Sequence, residues 1–260
     1  NGEQTGEVTY TNAGTLIFNT GASEATVEDD GQDDVARDVT AAKATTVQAN
    51  VGANSDYTGN LTAGAAETIN LSVASALDGE TEQTQFGGTI EAAQADSVVV
   101  DAEGRLNGNI NAGEASSVDV TTGDSDADTL TLGTGSATLA TFSAGEDFDV
   151  TGSDLSSVEQ LTIDTDGIFD ANDVNFESLA TATITGSADA SEVQLGIIGD
   201  QDLSNAIDLT AAGLAADTDD SGAFGLQTGL IITDGEDISL NLADLAGTAL
   251  MENITTGATD

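Results

Sequence analysis

The side chains with the greatest chemical capacity in this sequence are carboxylates, and they fall in clusters. Aspartate outnumbers glutamate 31 to 16, Arg37, Lys43 and Arg105 are the only cationic side chains, and His and Cys are absent. That inventory removes zinc, haem and thiol chemistry and the Ser-His-Asp triad together. What remains is the binding of hard cations by oxygen, and Asp both forms turns and ligates calcium. Residues 123 to 131 read GDSDADTLT, which sets Asp124, Asp126 and Asp128 at alternate positions. Asp164, Asp166, Asp170 and Asp173 fall within ten residues, where oxygen ligands on a turn can converge on one ion. Asp217-Thr218-Asp219-Asp220-Ser221-Gly222 has the D-x-D-x-S-G opening of an EF-hand loop, with Thr228 where the bidentate Glu belongs. The densest run is EDDGQDD at 28 to 34. Calcium is the expected ion, and the ten aspartates numbered 124, 126, 128, 164, 166, 170, 173, 217, 219 and 220 are its expected ligands.

A solvated, self-repelling loop is the competing reading of any one cluster. Taken together, in a chain of net charge -44, the clusters call for cations to relieve self-repulsion. The same charge excludes nucleic acid and anionic membrane surfaces as partners, because three basic side chains cannot neutralise a run of phosphates. Enzymatic activity is not expected either. Carbohydrate-cleaving sites combine carboxylates with aromatic and basic groups, and this chain has no Trp and two tyrosines, Tyr10 and Tyr57, which leaves fold analogy as the sole argument for a lyase or glycosidase. Three Asn-x-Ser/Thr sequons, at Asn60, Asn70 and Asn253, are of a kind frequent by chance.

The elements that hold these residues are short strands. Of 260 residues 38% are hydrophobic, but 39 are Ala and only nine are aromatic, so the core must be thin; 36 Thr and 30 Gly with no Pro suit strands and tight turns. No apolar run reaches the ~18 residues of a membrane-spanning helix. High charge with low hydrophobicity is also the composition of disorder, and internal repeats decide against it. Residues 58 to 71, TGNLTAGAAETINL, align without a gap with 107 to 120, NGNINAGEASSVDV, and 87 to 100, GGTIEAAQADSVVV, fit between them. Gly59, Gly88 and Gly108 coincide, then Leu61, Ile90 and Ile110, then Ala66, Ala95 and Ala115, then Ile69, Val98 and Val118, then Leu71, Val100 and Val120. The steps are 29 and 20 residues, and the nine extra residues are assigned to a loop around Asp78 to Gln85. A weaker copy begins at Ala44, SVEQLTI at 157 is echoed by SLATATI at 178, and TFSAGEDFDV at 141 by IITDGEDISL at 231.

Neither alternating segment of a unit can bury an apolar face alone, and stacking puts Leu61, Ile90 and Ile110 in one inward column and Ile69, Val98 and Val118 in another. The expected fold is all-β: a parallel β-helix with rungs of about 20 residues, Ala at its corners and loop insertions. An antiparallel sandwich is the alternative, disfavoured because its strands need no registered identity. One or two short helices are expected, from the capping-box sequence Ser156 to Glu159 and the Ala-rich stretch Leu203 to Ala216. The whole of 1–260 reads as one solenoid region, with acidic N-terminal rungs and loops at 1–55, regular rungs at 56–122 and less regular rungs with acidic loops at 123–260. Thr181, Thr183 and Thr185 form an outward triplet of the ice-binding kind, without a copy of the triplet on successive rungs. The start at Asn1, without Met or an apolar leader, points to a piece of a longer protein.

Residues 123 to 131 overlay the calcium-binding nonapeptide G-G-x-G-x-D-x-U-x, with Gly123, Asp128 and Leu130 at pattern positions and Asp124 and Asp126 in place of glycines. Leu132-Gly133-Thr134-Gly135 continues the idiom, in an Ala/Thr/Gly/Asp-rich chain nearly free of Lys and Cys. The chain thus resembles the repeats-in-toxin proteins and their bacterial surface-layer relatives, whose β-solenoids assemble into a calcium-dependent coat. That resemblance implies type I secretion, an extracellular place at the cell surface, calcium as cofactor, and a homo-oligomer or lattice of identical chains as partner, with surface polysaccharide as another. A solenoid stalk or ligand-binding module of a large adhesin, biofilm-matrix protein or phage fibre is the alternative.

Overall fold

The computed structural model describes residues 4–10, 12–20, 33–53, 55–75, 84–123, 128–186, 191–200, 206–214, 225–233, 237–244 and 249–256. Their strands form two parallel sheets. The first contains β1 (Gln4–Thr9), β3 (Asp33–Thr40), β5 (Ser55–Tyr57), β6 (Asn60–Thr62), β8 (Gln85–Phe86), β9 (Thr89–Glu91), β11 (Arg105–Asn111), β13 (Asp128–Gly133), β15 (Phe148–Asp149), β17 (Ile168–Ala171), β19 (Glu192–Leu195), β21 (Leu226–Thr233) and β23 (Ala249–Thr256). The second contains β2 (Thr15–Asn19), β4 (Thr46–Val51), β7 (Thr68–Val73), β10 (Ser97–Ala102), β12 (Ser117–Thr122), β14 (Leu139–Ala144), β16 (Gln160–Thr165), β18 (Thr181–Gly186), β20 (Ile207–Ala212) and β22 (Ile238–Asp244). The chain alternates between the sheets, and each strand pairs with the equivalent strand one rung away. This is the expected parallel β-solenoid.

The registers are those that the repeats require. Leu61 pairs with Ile90 and Ile90 with Ile110, continuing to Leu132 on one side and Val39 on the other. In the second sheet, Leu16, Val47, Ile69, Val98, Val118, Ala140, Leu161, Ala182 and Leu209 make one unbroken column. Burial alternates along every such strand because successive side chains point to opposite faces, so the apolar half of each rung faces the other sheet. The buried side chains form one continuous core from Leu16 to Ile231.

The corner after β3, β6, β9, β11 and β13 is a tight turn in which the fourth residue donates to the carbonyl of the first: Ala44 to Ala41, Ala66 to Ala63, Ala95 to Ala92, Ala115 to Ala112, Ala137 to Thr134, all within 2.7 to 2.9 Å. Both ends are buried, and Ala fits because the stacked turns leave no room for more. In less regular rungs the corner swells, and Leu155 to Val158 and Phe176 to Leu179 carry the same bond at 3.1 and 3.3 Å.

The glycine column has a separate cause. The ring of Phe86 lies over Gly108, where a Cβ would stand 2.6 Å from it and 2.7 Å from the carbonyl oxygen of Gly88. Tyr57 lies over Gly88 in the same way, so the missing side chains make the room that the aromatic residues fill. Phe18, Tyr57 and Phe86 run in sequence through this space, with ring centroids 4.6 and 5.8 Å apart, and the buried Tyr57 hydroxyl donates to the Arg37 carbonyl. Further along, Phe142, Phe148 and Phe169 join the two sheets.

Two expectations need correction. No helix occurs among the described residues, and so none is long and apolar enough to cross a membrane. Ser156 to Glu159 belongs to the Leu155–Val158 corner leading into β16, and the middle of Leu203 to Ala216 is β20, where Ile207, Leu209 and Ala211 alternate inward. An exposed strand edge on the preceding rung outweighs local helix propensity at both places. The 141/231 similarity is not a structural repeat, because residues 141 to 144 lie in the second sheet and 231 to 233 in the first. The loop assigned to Asp78–Gln85 falls mostly outside the described residues, between β7 and β8.

Candidate functional site

Asp124, Asp126, Asp217, Asp219 and Asp220 lie outside the described residues. The other five expected ligands are placed, and they do not meet at one point: Asp164 and Asp166 border one cleft, Asp128 and Asp170 another. Asp164 projects outward from β16 in the second sheet and accepts a hydrogen bond from the Thr185 hydroxyl at 2.7 Å on the next rung. Asp166, in the turn that follows, shares with it a small cleft of about 110 Å³ also lined by Thr122 and Ser143. Asp170 projects from β17 in the first sheet, and Asp173, in the turn beyond it, accepts from the Gly152 amide at 3.1 Å on the previous rung. The ten-residue cluster is split because one passage from β16 to β17 carries the chain from one sheet to the other.

Asp128 opens β13 at an inward position, between Leu106 and Phe148 in the column, and is only 2% exposed. Its Oδ1 accepts from the Leu106 amide at 2.8 Å. The carboxylate meets a backbone donor where the β11–β13 register, which starts at Asn107 and Thr129, has not yet begun. Burying a carboxylate is costly unless it is hydrogen-bonded, and this bond meets that requirement.

Backbone capping of this kind recurs. Asp149, Asp154 and Asp170 accept from the amides two residues ahead, at Thr151, Ser156 and Asn172. Asp38 and Asp147 reach across to the amides of Asn60 and Ile168 on the next rung, each at 2.9 Å. The short Asp side chain suits both geometries, so part of the Asp excess serves the turns of the solenoid.

What the sequence clusters missed is a pairing along the stack. Asp149 and Asp170 are register partners on β15 and β17, one rung apart, both facing outward. They border a cleft of about 210 Å³ whose wall also includes Asp128, Asp147 and Ile168. Burial raises the Asp170 carboxyl above its ordinary value, and the charges of Asp149 and Asp173 push it the same way, against the lowering effect of the Asn172 amide. Like charges one strand spacing apart, about 4.8 Å, disfavour double ionisation, and a bound cation reverses that preference. Among the described residues no group of three or more Asp or Glu side chains is close enough to enclose a metal ion. Within the described residues the pair supplies part of a coordination shell, since calcium takes six to eight oxygens. The signal for it was present in the sequence: the rung offset that aligns Ser157 with Ser178 also carries Asp149 onto Asp170.

No protein family model, curated protein or solved structure matches this chain.

Proposed function

We propose that the chain is a structural, non-enzymatic component of an extracellular surface layer or lattice, in which copies of the solenoid associate through calcium ions held between acidic surfaces. The observation that carries this reading is the outward Asp149–Asp170 pair: two carboxylates in register, one with its proton affinity raised, on a chain of charge -44. Such copies repel one another over a Debye length of about 8 Å at physiological salt. A divalent ion seated on one pair retains open coordination positions that carboxylates of a neighbouring copy can fill, which turns repulsion into a crosslink. The nonapeptide-like run at 123 to 131 supports calcium as that ion, and the surface-layer resemblance supports secretion to the cell exterior.

The test is light scattering and circular dichroism of the purified chain during calcium titration at fixed ionic strength, then with chelator, with magnesium as control. Assembly is expected with calcium, reversed by chelator, and weakened in Asp149→Asn/Asp170→Asn. A monomer indifferent to calcium, or equal assembly with magnesium, refutes the proposal.

A second reading, the stalk or ligand-binding module of a large adhesin, has its own support. Among the described residues, β1 and β2 at one end of the stack and β22 and β23 at the other each pair on one side only. Unsatisfied strand edges are templates for further strands, and in a stalk the rungs of adjoining segments occupy them. Calcium-independent folding with end-to-end particles in electron micrographs is the result that favours this reading over the lattice.

A further inference from the structure

Beyond β17, β19 and β21 the outer surface of the first sheet turns toward the bridged residues Phe176, Ile198 and Ile231, and a groove of about 530 Å³ opens there. Its size falls within the ~300–1,000 Å³ of ordinary ligand pockets. Its chemistry departs from the rest of this acidic molecule, because four carboxamides line it: Asn172, Asn175, Gln194 and Gln227. Gln194 and Gln227 are register partners on adjacent strands, so their amides stand side by side. Asp173 is the one carboxylate among the described lining residues, and it is already held by the Gly152 amide.

Two glycines, Gly196 and Gly229, lie in the lining. A Cβ on Gly196 would collide with the Val174 carbonyl, and one on Gly229 would stand 3.0 Å from the Gly196 oxygen. The rungs approach so closely at these two positions that only backbone fits, and the amides of both glycines are bonded to neighbouring carbonyls. Ile197, 39% exposed, supplies an apolar surface at the side.

From this arrangement we infer that the groove between β17, β19 and β21 binds a neutral saccharide. Carboxamides both donate and accept, which matches hydroxyl groups that do the same. Among the described residues, the lining holds no Lys or Arg to attract an anion and too few carboxylates to hold a divalent cation. The strands bordering the groove are already paired with one another, so an extended peptide finds no free edge to join. Ile197 can take the C–H face of a pyranose ring. With no aromatic platform among the described lining residues the expected affinity is weak, about millimolar. The site does not depend on calcium or on lattice formation, and its failure would leave that reading untouched.

The test uses the full chain in excess chelator, screened on an array of neutral hexose and N-acetylhexosamine oligosaccharides, with acidic glycans and polar peptides as comparison probes. Positive oligosaccharides are then titrated by NMR. The expected result is binding of at least one neutral oligosaccharide, unaffected by salt. Gln194→Leu/Gln227→Leu should weaken it roughly tenfold through two lost hydrogen bonds. Gln160→Leu, an exposed change on β16 of the other sheet, should leave affinity unchanged, and circular dichroism of both variants confirms that they fold. No neutral glycan bound at about 10 mM, well above the expected affinity, overturns the inference. Binding confined to acidic glycans or peptides, or undiminished in the folded double variant, overturns it equally.

Discussion

Replacing Asp170 with Asn should stabilise this protein at neutral pH, against the usual effect of removing a hydrogen-bonded side chain. The Asn oxygen can still accept from the Asn172 amide, now 3.0 Å from Oδ1, so the local turn is kept. What disappears is repulsion with Asp149 one strand away. At about 5 Å two unit charges repel by ~0.8 kcal/mol in a water-like medium and ~3 kcal/mol at an effective dielectric of ~20. Both groups are partly exposed, which sets the net effect near the lower figure, about 1 kcal/mol. For a chain of this size that corresponds to a rise in Tm of about 2–4 °C. The pH dependence has a definite sign. The folded state holds the Asp170 proton more tightly than the unfolded chain, so the linked stability is complete below the ordinary value of 3.8 and is lost as pH rises through the raised one. The variant's advantage should therefore be present at pH 7, shrink at about 1 M salt where the Debye length is ~3 Å, and vanish near pH 3. Scanning calorimetry with chelator present measures all three. In calcium the order should invert, since wild type gains a ligand-linked term that the variant lacks. A variant less stable than wild type at pH 7 without calcium, or an advantage that persists at pH 3, would refute the electrostatic reading of this pair.

Three further predictions concern the stack. Gly108→Ala should destabilise by about 1–3 kcal/mol, because its Cβ would meet the Phe86 ring and the Gly88 backbone, whereas Gly113→Ala, with only the Ala93 carbonyl 3.8 Å away, should be nearly neutral by chemical denaturation. Phe86→Ala should cost about 3–5 kcal/mol and, in combination with Gly108→Ala, less than the sum of the two, since the truncation vacates the space that the new methyl enters. Burial, with Asp38 adding to it, pushes the Tyr57 phenol well above its ordinary value of 10.0. In a Tyr10→Phe background, phenolate absorbance should therefore remain absent through pH 10 and emerge only with unfolding, and stability should fall as pH rises above that value. A reversible phenolate signal in the folded chain would show that Tyr57 is not enclosed between Phe18 and Phe86.

The fold was legible where side chains had to agree with their neighbours one rung away. Leu61, Ile90 and Ile110 recur because each is the packing partner of the next, and Ala66, Ala95 and Ala115 recur because the stacked corner admits little else. The glycine column was legible as a pattern but not as a cause, since the rings that need its space come from Tyr57 and Phe86, two residues before Gly59 and Gly88. Helix signals failed at Ser156 to Glu159, which form a corner leading into β16, and at Ile207 to Ala212, because an amphipathic strand with a waiting edge outweighs a single helical turn.

Chemistry was less legible because a solenoid separates what the sequence places together. Asp164 and Asp170 are six residues apart yet lie on different sheets, while Asp149 and Asp170, 21 apart, are direct partners. Read along columns, the acidic surface has an order that a scan of local clusters misses. Asp101 is followed by Thr121, Ser143, Asp164 and Thr185 in one outward column, so two carboxylates are spaced by hydroxyls, and Thr185 bonds to Asp164 directly. The central outward column runs Ile17, Gln48, Asn70, Val99, Asp119, Thr141, Thr162, Thr183, Thr210 and Asn241, with a ladder of β-branched Thr that suits a parallel sheet and a single charge, Asp119, in its middle. Against these dilute columns the Asp149–Asp170 step costs repulsion that neither the capping bonds nor the register require. Thr in either position would keep the strand and could still close a turn with its hydroxyl, more weakly. The register sets Asp34 against Asp56 on β3 and β5 in the same way, so such steps recur in the first sheet, and under the proposed function a divalent cation is the occupant that would offset their repulsion.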